Sequence, residues 1–438
     1  MPVTGEWMVV PLLVLLVVFP SFAQGGLDRC DQVNRVSWTV FFCLLAVTLT
    51  IRNPWAALNV AMIAAGLLTV VPKSDVWSRA GLPALAGASA YAALTPAVRV
   101  DHLEPVLWTL VMVGCWTGFW VDYSRQQGLV PYMHWWPKPP ALGMWWPPIC
   151  LHEDSPTHLK AGQGNANHLQ GVAVLSTAAM LALVLLGHWL ALLAWPLVLQ
   201  PLLRRVTKES RWGQGHLHCA TLCVTAAGVW SGKASVLVLF LTCYTLALCL
   251  WAKPWRPRTD WLDGGRFGMW RTVLVDGWLK ATWRQQLFGL GTGIWQPFTA
   301  PLTVPKHHGV IFTAAHNEMV QNLVEHGILG LFFLLAYLLD VFIRLWKGGE
   351  AGHALLMMAV TLCSIAVTNF PWTWFHAIER PHECVVCKKP VVAVGLQTKH
   401  PAECQCLTPK GSPVSPYYVG SPALVAISLV LAILAEAF

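Results

Sequence analysis

The chain has 438 residues, 55% of them apolar and only 11% charged, with a formal charge of +8. Soluble domains hold about a quarter charged residues, so this balance, with a mean hydropathy of +0.53, excludes an ordinary soluble enzyme. The cations are scattered between apolar runs and form no basic domain, which argues against nucleic acid and for anionic lipid and phosphate-bearing partners.

A membrane-spanning helix needs about 20 mostly apolar residues. Such runs begin near Trp7, Val36, Trp55, Leu82, Leu103, His168, Trp189, Gly215, Ala234, Gly327, His353 and Pro422, twelve candidates in all. The first ends in Ser21-Phe22-Ala23, as a cleaved signal peptide would, but Met1 to Trp7 holds no basic residue. It is therefore read as a retained helix. Tryptophans at run ends, among them Trp7, Trp55, Trp77, Trp108, Trp189, Trp251, Trp372 and Trp374, match aromatic belts at the two membrane interfaces. The predicted fold is all-α, a polytopic transmembrane bundle of about 12 helices with a large loop between late helices.

With the N-terminus inside, the connections near Arg52, Val98–His102, Gly187-His188, Ser231–Lys233 and Arg344–Lys347 fall inside, as the positive-inside rule requires. Longer connections at about 122–167, 252–318 and 371–420 fall outside. So does Arg204–Trp212, with four cations in nine residues. Cations kept on that side need a reason, and anion binding is a natural one.

Four regions follow. Residues 1–160 carry the N-terminal helices and an outside loop rich in Trp and Pro. There Trp135, Trp136, Trp145 and Trp146, with His134, Lys138 and His152, either dip into the interface or offer faces for sugars to stack on. Residues 161–378 carry the motifs described next, 379–420 form a Cys-rich extramembrane insertion, and 421–438 a C-terminal helix.

The motifs stand in a fixed order: GNANHL (164–169), TKESRWGQ (207–214), GGRFGMW (264–270), FGLGTG (288–293) and HNEMVQNLVEHGILGL (316–331), followed by NFPWTWF (369–375). On residue chemistry alone, arginines such as Arg211 and Arg266 suit a phosphate clamp, because a guanidinium stays protonated and offers paired N–H groups. Their bland reading is snorkelling at a helix end. His316 can accept a proton at neutral pH, and Asn317-Glu318 is equally a good helix start. His307 and His308 lie close by as competitors. Asn165, Asn167 and His168 open a span, where capping suffices and contact with a glycan or carrier is the second reading. The glycines of FGLGTG form a turn more readily than a phosphate cradle, since no strand–helix unit surrounds them. Gly327 and Gly330 are read as allowing close helix packing.

Over residues 160–375 this order resembles the O-antigen ligase and O-antigen polymerase family of membrane glycosyltransferases. The chain departs from the family at Trp212-Gly213, after the Ser-Arg pair, and in the insertion Glu379–Tyr418. The resemblance implies a bacterial inner-membrane enzyme with a large periplasmic loop, about 252–318, and a periplasmic active site. It also implies transfer of a glycan from a polyprenyl diphosphate carrier to an acceptor hydroxyl on a lipid or polysaccharide. Arg211 and Arg266 would then hold the diphosphate and His316 would act as base, with Asn317, Asn167, His168 and Arg271 as substrate contacts. A polyprenyl-glycan flippase or other transporter is the alternative, although no internal repeat of the kind transporters show is visible. No cofactor is expected. Asp260 and Asp263 are too thin a carboxylate set for a hard cation, so a metal-independent reaction is expected. Cys384, Cys387, Cys404 and Cys406, the two pairs separated by 16 residues, either form disulfides in an oxidising compartment or bind zinc at a spacing one residue short of a standard ribbon. Disulfides rank slightly ahead.

Overall fold

The computed structural model describes residues 6–23, 53–68, 91, 93–126, 166–203, 214–251, 266–291, 294–303, 315–368, 392–394, 397–399 and 422–438. The longer apolar helices are α1 (Glu6–Ala23), α2 (Pro54–Leu68), α3 (Leu103–Gln126), α4 (Ala166–Leu185), α5 (Gln214–Trp230) and α6 (Ala234–Trp251). Short α7 (Arg266–Arg271), α8 (Trp283–Phe288) and α9 (Trp295–Thr303) follow, then α10 (Glu318–Lys347), α11 (Gly349–Thr368) and α12 (Pro422–Ala435). The architecture is helical, and α10 and α11 are long and apolar enough to cross a membrane.

Helix α4 is the centre of the bundle. From Leu169 to Ala179 every residue is buried, against α3, α5 and α11, as befits a helix with no polar face. Small residues let its neighbours close in. A Cβ on Gly114 of α3 would lie 2.5 Å from Ser176 Cβ, and one on Gly118 1.8 Å from the Leu197 carbonyl oxygen. Ser176 Oγ donates to the Leu110 carbonyl at 2.8 Å.

The run beginning at Trp189, expected as one span, is instead a broken path along α3. It is a 3-10 segment over Trp189–Ala194, then single turns at Trp195–Val198 and Gln200–Leu203. Pro196 and Pro201 explain the breaks, since each removes a backbone donor. The run near Val36 and the start of the run near Leu82 lie outside the described residues.

The bundle has two distinct ends. At one, His188 Nε2 meets Glu104 at 3.2 Å, Arg344 reaches Asp340 and the Ala435 carbonyl, each at 3.2 Å, and Asn53 donates to Asp340. At the other, His218 Nδ1 lies 2.9 Å from Ser364 Oγ, and Gly171 packs on Leu424 and Ile365. The starts of α4, α5, α10 and α12 therefore share an end.

The segment from α7 to α9 forms a second, smaller core around the first turns of α10. Its buried members are Met269, Val273, Trp278, Trp295, Ala315 and Val324. A π turn over Thr272–Gly277 and a 3-10 turn over Trp278–Lys280 link α7 to α8, whose start is a Thr282–Gln285 capping box that satisfies the first orphan amides. Within the Cys-rich insertion, β1 (Val392–Val394) and β2 (Gln397–Lys399) pair antiparallel, Val392 opposite Lys399. This short ladder is a local feature of the insertion, and the architecture is all-α as expected. Cys384, Cys387, Cys404 and Cys406 lie outside the described residues.

Candidate functional site

Helix α10 does not run straight from its polar start into its apolar length, as the sequence suggested. Gly327, at φ 71 and ψ −168, interrupts it. A break of this kind frees carbonyls of the preceding turn, and the FGLGTG loop takes them up. Leu290 N–H donates to the Val324 carbonyl at 3.0 Å and Gly291 N–H to the Glu325 carbonyl at 2.9 Å. Gly289 and Gly291 hold φ of 83 and 103, which glycine adopts without penalty. The loop is thus a plug for a broken helix, and these two amides are engaged with protein. Gly327 serves the kink and also lets the end of α8 close in, since a Cβ there would lie 2.4 Å from the Leu287 carbonyl oxygen. At Gly330, Asn59 Nδ2 of α2 donates to the carbonyl at 2.9 Å, while a Cβ would meet His326 and Asn322 of α10 itself.

Ahead of the break stands His316, half-buried, the one described non-glycine residue with positive φ (51). Such backbone is uncommon and costly for residues with a Cβ, and it concentrates at functional sites. Three contacts around His316 hold it. Asn317 caps α10, its Oδ1 accepting from the amides of Met319 (2.9 Å) and Val320 (3.2 Å). On the other side of His316, Ala315 N–H donates to Gln321 Oε1 at 3.0 Å, and Trp270 Nε1–H donates to the Ala315 carbonyl at 2.6 Å.

The last of these bonds joins two motifs far apart in the chain. Trp270 lies one turn after Arg266 in α7, so the helix that Arg266 opens is fixed beside His316. Arg271 is exposed and Asn317 is buried as the cap. Asn167 and His168 occupy the first turn of α4, at the same end of the bundle. Arg211, the preceding Arg204–Ser210 loop, His307, His308, Asp260 and Asp263 lie outside the described residues.

The sequence reading missed a buried polar face. Glu318, Gln321, Asn322, Glu325 and His326 are all at most 3% exposed, and their spacing puts them on one side of a helix. Gln321 Nε2 donates to Glu325 Oε1 at 3.3 Å, and the Trp295 amide reaches the same oxygen at 3.4 Å. A chain of bonds therefore runs from the buried Glu325 carboxyl through Gln321 to the backbone beside His316. Burying a carboxylate is tolerable only with such donors. Neither amide atom of Asn322 has a hydrogen-bond partner among the described residues, a cost of about 1–3 kcal/mol that a bound water would remove. The signal was present in the spacing of polar residues through HNEMVQNLVEH, which a capping role for Asn317 and Glu318 only partly explains. Among the described residues no group of three His, Cys, Asp or Glu side chains could hold a metal ion.

Chemically, the arrangement offers an imidazole on a strained, over-determined backbone, at the mouth of a helix whose buried face is polar. No family model and no curated protein matches the chain.

Proposed function

We propose that the chain is a polytopic membrane glycosyltransferase of the O-antigen ligase or polymerase type, set in a bacterial inner membrane with the start of α10 facing the periplasm. The observation that supports this reading best is the 2.6 Å bond from Trp270 to the Ala315 carbonyl. It holds the helix opened by Arg266 against the residue preceding His316, as a shared site requires. In the proposed reaction the acceptor hydroxyl attacks the anomeric carbon of a glycan on polyprenyl diphosphate. His316 takes the hydroxyl proton, and the carbon–oxygen bond to the diphosphate breaks with its electron pair leaving on the diphosphate. Arg266 and Arg211 stabilise that leaving charge, which is often the largest catalytic contribution.

A transporter would also use a broken helix, with its freed backbone groups lining a cavity. Here the freed carbonyls of Val324 and Glu325 are taken by Leu290 and Gly291, which favours the transferase. Purified protein in detergent, supplied with lipid-linked glycan and acceptor, separates the two, because detergent offers no second compartment. Wild-type protein should consume the donor and a His316→Asn variant should not. Donor left untouched by wild-type protein would overturn the proposal.

A further inference from the structure

We propose that residues 275–288 form an interfacial anchor that lies on an anionic phospholipid surface beside the candidate site. The proposal rests on the reading of α10 and α11 as membrane spans. From Ile328 to Lys347, α10 is about 30 Å long at 1.5 Å per residue, the thickness of the hydrocarbon core. Over this length Ile328, Phe332, Leu335, Leu339 and Ile343 are exposed, at a spacing that forms one lipid-facing stripe. Arg344 and Lys347 stand at its far end, where cations reach the interface.

The near edge of the hydrocarbon therefore falls at Gly327, and this is where α8 is fastened. A Cβ on Gly327 would lie 2.4 Å from the Leu287 carbonyl oxygen, and one on Gly289 2.4 Å from the His326 amide. Leu287 to Gly289 thus sit at the boundary itself. From there back along the chain, Phe288, Trp283, Leu279 and Val275 are 48% to 66% exposed. Apolar side chains this large, left bare along the segment that leads to that boundary, would continue the stripe into the interface.

Cations are interleaved with them. Lys280 is exposed and pairs with Asp276 at 3.6 Å, while the Arg284 guanidinium stacks 5.5 Å over the Trp283 ring. Arg284 has no carboxylate partner among the described residues. Tryptophan, leucine and phenylalanine facing inward with Lys and Arg at headgroup level is the composition of a surface-lying segment, and anionic headgroups are its charge complement. Because α8 is tied to the kink of α10, lipid contact at 275–288 would set the height of the polar turns that carry His316.

The test uses the full chain in nanodiscs containing diazirine-labelled phosphatidylglycerol or, separately, phosphatidylcholine carrying the same probe, with adducts mapped by mass spectrometry. Labelling of 328–347 reports the membrane reading on its own. Labelling of 275–288 as well, stronger from phosphatidylglycerol and reduced about fivefold in Lys280→Gln/Arg284→Gln, is the expected result. Labelling confined to the spans would overturn the anchor while leaving the membrane reading intact. Equal labelling by both lipids, unchanged in the double variant, would overturn the anionic preference. Intermolecular cross-links through Lys280, with 275–288 protected from lipid, would assign the face to a second copy of the chain. Absence of labelling everywhere would remove the membrane reading and the anchor with it.

Discussion

Gly289 and Gly327 lie backbone against backbone. A Cβ on the first would sit 2.1 Å from the Glu325 carbonyl oxygen, and one on the second 2.5 Å from the Gly289 amide nitrogen. Both also hold positive φ, so alanine at either position meets a steric clash and an unfavourable backbone at once. We expect Gly289→Ala and Gly327→Ala each to cost roughly 3 kcal/mol or more, by overpacking plus a backbone region open essentially to glycine alone. Gly349, also at positive φ but with nothing within 4 Å of a Cβ, carries a backbone cost without a clash. Gly349→Ala should cost about 1–2 kcal/mol. Thermal unfolding of the three variants in detergent measures the difference, and equal losses would refute the packing argument.

His316 combines a strained backbone with the proposed chemistry, and the two can be separated. Asparagine tolerates left-handed backbone better than residues without a short polar side chain, whereas alanine does not relieve the strain. His316→Asn should therefore keep wild-type thermal stability and lose transferase turnover. His316→Ala should lose turnover too, together with up to about 1 kcal/mol of stability. An Asn variant that turns over at the wild-type rate would exclude the imidazole as base.

These contrasts show which features were legible in the sequence. The helices α3, α4, α5 and α6 begin close to the predicted run starts because long apolar helices need long apolar runs, and such runs are visible in composition, whereas α10 begins at Glu318, nine residues ahead of the run expected from Gly327. The broken path at 189–203 was legible in principle, through Pro196 and Pro201, but its apolar content masked the prolines. The kink at Gly327 was not legible. Gly-Ile-Leu-Gly inside an apolar run reads as helix packing, and only the distant Gly289–Gly291 loop, supplying amides to the freed carbonyls, makes the break affordable. The pairing of Trp270 with Ala315 is hidden for the same reason, since a hydrogen bond between remote segments leaves no periodic trace. The buried face of Glu318, Gln321, Asn322, Glu325 and His326 was visible as a spacing, though its meaning depended on α7 to α9 covering it.

Trp270 and Gln321 hold Ala315 from opposite sides, one at its carbonyl and one at its amide. Trp270→Phe keeps the aromatic packing and removes the donor; Gln321→Leu keeps approximate size, strands the Ala315 amide and leaves Glu325 Oε1 with the Trp295 amide alone. A lost hydrogen bond with one buried partner left unmade costs about 1–3 kcal/mol. If these bonds position His316, turnover should fall by about tenfold or more while KM changes little, the pattern of an interaction expressed in the transition state. A rise in KM at unchanged kcat would instead place Trp270 and Gln321 in substrate binding.

The close contact of α3 with its neighbours gives a prediction independent of any function. Gly118 faces the Leu197 backbone carbonyl, which cannot rotate aside, while Gly114 faces the Ser176 side chain and, at 3.3 Å, Val198 Cγ2. Alanine at 118 must push the broken 189–203 path away from α3, whereas at 114 the contact is looser, 2.5 Å to Ser176 Cβ against 1.8 Å to the Leu197 carbonyl oxygen, and is made by side-chain atoms that a smaller residue removes. Overpacking costs typically 1–3 kcal/mol, and the rigid neighbour should place Gly118→Ala at the upper end and above Gly114→Ala. The Ser176 hydroxyl sharpens the comparison, since its bond to the Leu110 carbonyl must also yield if Ser176 moves. Gly114→Ala combined with Ser176→Gly, which removes the Cβ that a side chain at 114 would meet, should therefore recover part of the loss relative to Ser176→Gly alone, while the same partner change leaves Gly118→Ala unimproved. Unfolding midpoints of these variants in one detergent decide the matter, and a recovery at Gly118 equal to that at Gly114 would show that the two glycines do not meet different neighbours.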